Sequence, residues 1–419
     1  MLARVRGLAS ILIGIALLVI ANGTVSTSVA LTVSRSSWAL QLGGALGGLV
    51  LGAYFAGLTL GAMFAPMLLE RVGHIRAFSA FAAAAGAGTL LLPLLQGFAV
   101  WIVLRAGMGF AMVGLFMVVE SWLNERAEPQ ARGVTLAIYM VIVQLAFSAA
   151  QPLMLLYGPE RMETFMLAAL LFGLGAIPVA LTRIAQPEPL PFARCGLRRL
   201  MRDVPLAAVG CFGAGMAGSV LLAIGPSWVG SLGLGDDDVA RFMSAMLAAG
   251  ILLQIPLGRL SDRIDRRIVL GGAAAALSLV SIAIAIWPPA QWWALMATGL
   301  LLGALVFVLY PLAIAHANDY LSAAEIVPAS ASLLLAFGAG ATLGPLLASV
   351  AMTALEGSGG FGASLATATL PIALLAILRR SLRDAIPAED QSEYVPVMLP
   401  QALATHELHP GIDGSQQPE

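Results

Sequence analysis

Twelve separate apolar runs punctuate this chain, at 8–31, 41–69, 77–96, 98–123, 133–157 and 163–182, then at 206–231, 239–258, 268–288, 292–316, 326–353 and 363–380. Each can cross about 30 Å of hydrocarbon as a helix. Lipid offers the backbone no hydrogen-bonding partner, so such runs must satisfy their own peptide groups and fold as spanning helices. Composition agrees: 59% of the 419 residues are hydrophobic and 11% charged, where a soluble domain carries about 45–50% and about 25%. The fold class is therefore an all-α polytopic membrane protein. A net charge of −1 leaves no basic footprint for nucleic acid. Cys195 and Cys211 form neither a disulfide framework nor a metal-ligand spacing, and no cofactor is implied.

The first run follows Arg4 and Arg6 as a signal peptide would, but it is too long for a signal core and lacks a small-residue cleavage pattern. It reads as a retained first helix. All basic residues are arginines, and their placement predicts orientation. With the N-terminus inside, 18 of the 22 fall on inner segments, Arg35, Arg161 and Arg241 fall outside, and Arg105 lies within the fourth run. That bias predicts both termini on the cytoplasmic side of a bacterial inner membrane. The expected organisation is a six-helix bundle at 1–182, a cytoplasmic linker at 183–205, a second six-helix bundle at 206–380 and a tail at 381–419. Arg194, Arg198, Arg199 and Arg202 of the linker suit lipid headgroups. The polar, acidic, proline-bearing tail buries too little apolar surface to fold alone and is expected to be disordered.

An internal repeat divides the helices six and six. Glu70-Arg71-Val72-Gly73 recurs as Asp262-Arg263-Ile264-Asp265, an offset of 192. Asn124-Glu125 recurs as Asn318-Asp319 at 194, and Gln151-Pro152 as Gly344-Pro345 at 193. Three markers at nearly one spacing predict pseudo-symmetric parallel halves around a midplane cavity.

With the repeat in view, the stretch from Gly258 through Leu260, Asp262, Arg263 and Asp265 to Arg266 and Arg267 resembles the signature loop of the major facilitator superfamily (MFS). The first-half copy departs from it: Pro66 replaces the usual Gly, Glu70 replaces Asp, and His74-Ile75-Arg76 replaces a double-basic pair. Arg105 to Gly109 resembles the superfamily's fourth-helix motif, whereas Ser148 to Pro152 departs from the antiporter motif of the fifth. With the stretches Glu120–Arg126 and His316–Tyr320, the chain resembles the bacterial YcaD-like branch over about residues 8–380. The resemblance implies two rocking bundles. It also implies a conformational latch in the cytoplasmic loops, carried by Glu70, Arg71, Arg76, Asp262, Arg263, Arg266 and Arg267. Determining topology is the plainer role for the same charges.

Residues inside the runs are the candidates for chemistry. Arg105 sits about 8 Å to the outer side of the midplane at 1.5 Å per residue, where a charge must face a cavity or a partner. No acid lies at its depth in another run, so carbonyls, water or an anionic substrate group are expected around it. Glu120, about 22 Å further along the same helix, is either a proton-coupling carboxylate with a pKa raised by burial or a member of a charge network with Arg126 or Arg71. His316 titrates near neutrality and is a second coupling candidate; a hydrogen-bonded interfacial histidine is the plainer reading. Polar groups in the cavity-forming helices, Asn22, Tyr54, Gln144, Ser219 and Tyr310 with Thr24, Tyr139 and Gln254, are costly in hydrocarbon and are expected to point inward. Each also serves as packing glue.

These features predict a secondary active transporter that moves a small neutral, lipophilic or singly anionic solute by alternating access, with the proton as coupling ion and a monomeric state. An uncoupled facilitator is the variant reading. A polytopic membrane enzyme, the rival class, needs clustered acids, histidines or a nucleophile with its base, and His74 and His316 have no ligand-spaced companion. Neither a channel filter nor a P-loop is present in the sequence.

Overall fold

The computed structural model describes residues 2–36, 46–95, 97–126, 132–181, 197–289 and 291–382, with 386–387, 391–392 and 394 of the tail. Most of the linker therefore lies outside the described residues, and so does most of the tail. Twelve of the described helices are long and apolar enough to cross a membrane. They are α1 (Leu2–Arg35), α2 (Gly47–Val72), α3 (His74–Leu94), α4 (Phe98–Arg126), α5 (Arg132–Leu153) and α6 (Met162–Ala180). After a short helix at Leu197–Asp203 come α7 (Pro205–Ser231), α8 (Asp236–Ser261), α9 (Arg266–Ile286), α10 (Trp292–Asn318), α11 (Ala323–Ala354) and α12 (Ser358–Leu382).

Helix ends follow from capping chemistry rather than hydropathy. Asp236, Asp237 and Asp238 fill the first turn of α8, where carboxylates offset the exposed amides and the dipole. The Asp265 carboxylate accepts from the Arg267 backbone N–H and caps α9. Ser322 and Glu325 form a reciprocal capping box on α11. Within α7, Val220–Ile224 widens into a π turn. Pro226 has no N–H for the Leu222 carbonyl and its ring crowds that oxygen, so the helix accommodates an extra residue there.

The helices form two six-helix bundles, and their crossings repeat. In the first, α4 meets α2 so closely that a Cβ at Gly109 would overlap the Tyr54 carbonyl oxygen. In the second, α10 meets α8 so closely that a Cβ at Gly303 would overlap the Met246 carbonyl oxygen. Gly109 and Gly303 are 194 residues apart, and Tyr54 and Met246 are 192 apart. The spacing read in the loop motifs is thus also the spacing of the backbone contacts.

The bundles are joined on the face remote from the arginine-rich helix ends. Ser148 and Ser244 exchange bonds between α5 and α8, each hydroxyl donating to the other's carbonyl at 3.0 and 3.1 Å. The Gln144 amide donates to the Leu247 carbonyl. Ser227 of α7 donates to Ala30 of α1 at 3.0 Å, and the Arg35 guanidinium pairs with Asp236 at 2.5 Å and Glu160 at 3.3 Å. At the opposite, arginine-rich face, Glu70, Arg71 and Arg76 are exposed.

The α2–α4 crossing is testable because α4 carries its own control. Gly109→Val places atoms where the Tyr54 backbone already sits, and should cost at least the about 1–3 kcal/mol of ordinary overpacking. A Cβ at Gly107 would meet nothing within 4 Å, so Gly107→Val should melt with the parent. Fluorescence-detected size exclusion after a temperature ramp distinguishes the two.

Candidate functional site

Between the bundles lies a chamber holding about 760 Å³ of open space, including its mouth. Its walls are largely apolar: Phe55 and Leu58 of α2, Val113 of α4, Phe307 of α10 and Phe337 of α11 contribute. Two expected cavity residues line it. Tyr310 stands edge-on to Phe337 with centroids 5.1 Å apart. Ser219 turns its hydroxyl back to the Met216 carbonyl at 3.0 Å, satisfying itself within α7.

A second, more polar pocket of about 520 Å³ shares Phe55 and Leu222 with the chamber and lies nearer the joined face. Asn22, Tyr54 and Arg105 meet there, as α1, α2 and α4 converge. The Asn22 amide donates to the Tyr54 phenol oxygen at 2.9 Å. The Arg105 guanidinium carbon stands 4.4 Å from the Tyr54 ring centroid, a cation–π contact strengthened by desolvation. Among the described residues an aromatic face, which the sequence reading did not foresee, is thus the neighbour beside the Arg105 charge. Arg105 is only 2% exposed, yet its Nε and Nη1 and the Asn22 Oδ1 have no hydrogen-bond partner among the described residues. Thr27 and Gln151 also line the pocket and were not among the expected residues. Thr27 donates to Gln151 Oε1 at 2.7 Å and Gln151 Nε2 donates to the Phe147 carbonyl at 3.0 Å, so both side chains have partners within the protein. The pairing of Thr27 with Gln151, 124 residues apart, has no local signal in the sequence.

The other candidates lie elsewhere. Gln144 bridges the halves through Leu247 and is an interface residue. Glu120 is buried in α4 and accepts a 3.0 Å bond from the Tyr139 phenol of α5. Of the two arginines expected beside it, Arg71 is exposed and the Arg126 side chain lies outside the described residues. His316 is buried with its ring 5.1 Å from that of Tyr320.

The charged loops separate into two behaviours. Glu70, Arg71, Arg76 and Arg263 are exposed. Arg266 and Arg267 are buried, Arg266 against Asp319 at 2.8 Å and Asp262 at 3.1 Å, and Arg267 against Asp265 at 2.8 Å. Burial raises the Asp265 pKa, but the Arg267 side-chain and backbone bonds and charge outweigh it and hold the carboxyl below its ordinary value. For Asp319 burial prevails over Arg266 and Ser392, and its pKa is raised.

The tail departs from expectation at Ser392 and Tyr394. Ser392 donates to Asp319 Oδ1 through its backbone N–H at 2.9 Å and its hydroxyl at 2.7 Å, and its carbonyl accepts from Arg266. The Tyr394 N–H donates to Asp262 Oδ1 at 3.1 Å, and its ring packs on Gly258 so tightly that no Cβ would fit there. Composition hides this docking because the partners are charges and a bare glycine, not an apolar groove.

Residues 11–252 and 207–405 match the sequence profile of the Major Facilitator Superfamily. The chain belongs to that superfamily. It is 29% identical over 289 residues to a protein of Escherichia fergusonii named "Uncharacterized MFS-type transporter YcaD", covering 68% of this chain and 74% of that one. A Salmonella newport protein of the same name is 29% identical over 290 residues, with the same coverage. Its fold is that of the nucleoside transporter NupG, with a TM-score of 0.68 at 13% identity over 91% of this chain and 99% of that one. It is equally that of a bacterial homologue of the human lysosomal transporter Spinster in an inward-facing, occupied conformation, with a TM-score of 0.67 at 17% identity over 91% and 97%.

The Asp265–Arg267 pair gives a pH prediction. Its native pKa is depressed, so the stability it contributes is complete above the ordinary value of 3.8 and is lost as pH falls through the native value. Asp265→Asn keeps a competent cap and removes the charge. At neutral pH it should melt below the parent by about 1 kcal/mol equivalent, and the gap should begin to narrow as pH falls past 3.8 and vanish once pH is below the native value.

Proposed function

We propose that this superfamily member is a secondary transporter that moves a small neutral, lipophilic or singly anionic solute across a bacterial inner membrane by alternating access, coupled to protons. The observation that carries the reading is the chamber between the halves, whose apolar walls lead to a single buried cation, Arg105. A polyphosphate or polyamine would need several opposite charges at such a site, and this lining is unsuited to either.

The arrangement of contacts supports the mechanism. Ser148, Ser244, Gln144 and the Arg35–Asp236 pair join one face while Glu70 and Arg71 stand exposed on the other. Taking the arginine-rich face as cytoplasmic makes this a state open to the cytoplasm, with both termini inside. Rocking of the two bundles about the chamber then exchanges the two closures, and solute binding must favour the occluded state for flux to follow.

Glu120 is the first choice for proton coupling, since it is a buried carboxylate on the helix that carries Arg105, bonded across to Tyr139. His316 is the second. Either would couple by changing charge as the surrounding water changes.

Uptake into proteoliposomes over a panel of neutral and monoanionic solutes tests the whole reading. An imposed pH gradient should raise initial uptake several-fold in the parent. Glu120→Gln should lose that response while retaining exchange of labelled for unlabelled solute. Flux indifferent to the gradient in the parent removes coupling and leaves an uncoupled facilitator; no flux of any panel member removes the transporter reading for these solute classes.

A further inference from the structure

We infer that the polar pocket is a headgroup site and that the chamber below it holds a tail: the ligand is an amphipathic monocarboxylate with a hydrogen-bond donor beside its carboxylate. The inference rests on the proposed transport and narrows its solute class. Arg105 presents unpartnered, buried N–H positions at Nε and Nη1, charge-assisted donors suited to an anionic oxygen. The Tyr54 phenol already accepts from Asn22, which leaves its own hydrogen to donate. Asn22 Oδ1 is an unpartnered acceptor in the same pocket. Donors for an anion and one acceptor for an adjacent O–H or N–H therefore converge at one depth.

The second half of the ligand follows from the shape. Phe55 and Leu222 belong to both spaces, so the headgroup pocket opens directly onto the chamber. Val113 lies eight residues beyond Arg105 on α4, about 12 Å along the axis, and Phe55, Leu58 and Phe307 supply an apolar lining. An apolar body of roughly that length, carried by one carboxylate, leaves no polar group unpaired. A neutral solute would leave the guanidinium without a counter-charge, and a cation would meet it head-on.

The probes are octanoate, 2-hydroxyoctanoate, 1-octanol and octylammonium, titrated into full-length protein in nanodiscs, with empty nanodiscs subtracted. The expected order is 2-hydroxyoctanoate tightest, then octanoate, with octanol at least tenfold weaker and octylammonium not bound. Arg105→Gln should weaken both anions at least tenfold and leave octanol unchanged, and Arg105→Lys should recover part of the loss. Asn22→Leu should erase the preference for the hydroxy acid. Octanol or octylammonium binding as tightly as octanoate, or anion binding indifferent to Arg105→Gln in a variant that elutes and melts like the parent, overturns the headgroup site. Because binding is read without flux, anion binding with no transport would instead overturn the transport reading and leave this site standing.

A separate observation concerns the tail, and from it we infer that Ser392 and Tyr394 clasp the second bundle so as to hold the arginine-rich face open. The halves touch through α2 and α11, where Gly48 and Gly52 lie against Pro345 and Thr342, and through α5 and α8 at Ser148–Ser244 and Gln144–Leu247. Closing the other face must bring the remaining ends of α5 and α8 together. Gly258 lies fourteen residues, about four turns, beyond Ser244 on α8, and the Tyr394 ring is packed on it. Asp262, Arg266 and Asp319, which anchor the tail, stand at the same corner. The clasp and the first bundle compete for one surface. Spin labels at Arg71→Cys and Arg263→Cys, with Cys195 and Cys211 replaced, report the gap. Truncation after Pro387 should add a shorter-distance population absent from the full chain, as should the Ser392→Ala, Tyr394→Ala double variant. A synthetic peptide of residues 386–399 should reverse the truncation. Distance distributions unchanged by truncation and by the double variant overturn the clasp.

Discussion

Lipid removes the hydrophobic force that presses helices together in water, because the surrounding tails are as apolar as the helices themselves. What remains is close contact, and this molecule depends on backbone meeting backbone where no side chain intervenes. Gly109 against Tyr54 and Gly303 against Met246 set the distance between the helices that frame the chamber. Those crossings also place Arg105 and Tyr54 one beside the other. The same glycine that lets α4 approach α2 therefore brings the buried Arg105 guanidinium onto the aromatic ring. Packing and electrostatics in the polar pocket are one arrangement viewed twice.

Charge is placed with corresponding economy. Elsewhere in the described structure the buried arginines have carboxylates: Arg266 has Asp262 and Asp319, and Arg267 has Asp265. Such pairs near a membrane face compensate desolvation with directed bonds. Arg105 has an aromatic ring and two open donor positions instead. A structural arginine is most stable when all five donors are used, so a buried guanidinium left short of partners beside a cavity is poorly explained by packing alone. That contrast within one chain, more than the burial of Arg105 itself, gives the polar pocket its functional weight.

The architecture was largely legible in the sequence, because its causes are local. Apolar runs longer than the hydrocarbon thickness mark the helices, and the loop motifs mark the duplication. Helix ends were displaced where charged residues are helical: α8 begins at Asp236 rather than 239 because three aspartates favour its first turn, and α4 continues past 123 to Arg126. The site was legible in part. Asn22, Tyr54, Arg105, Ser219 and Tyr310 do line the two spaces, since polarity within an apolar run marks a residue that must avoid lipid. The same signal cannot separate a cavity wall from an interface, and Gln144 bridges to Leu247. Partners distant in sequence were invisible: Tyr54 beneath Arg105, Tyr139 beside Glu120, and Gln151 with Thr27.

The two faces of the molecule are secured by different physics, and this bears on how freely it can move. The joined face relies on paired hydroxyl and amide bonds to carbonyls, with a partly exposed ion pair between Arg35 and Asp236, both more than a quarter exposed. Solvent-exposed pairs contribute about 0–1 kcal/mol each, so the ion pair adds little beside the close packing of α2 at Gly48 and Gly52 on the α11 backbone at Pro345 and Thr342. The arginine-rich corner of the second bundle is built instead from buried arginines paired with carboxylates. Such a corner can act as a fixed surface against which either the tail or the first bundle packs. On the alternating-access reading proposed above, the two closures must lie close in free energy if a bound solute is to tip the balance.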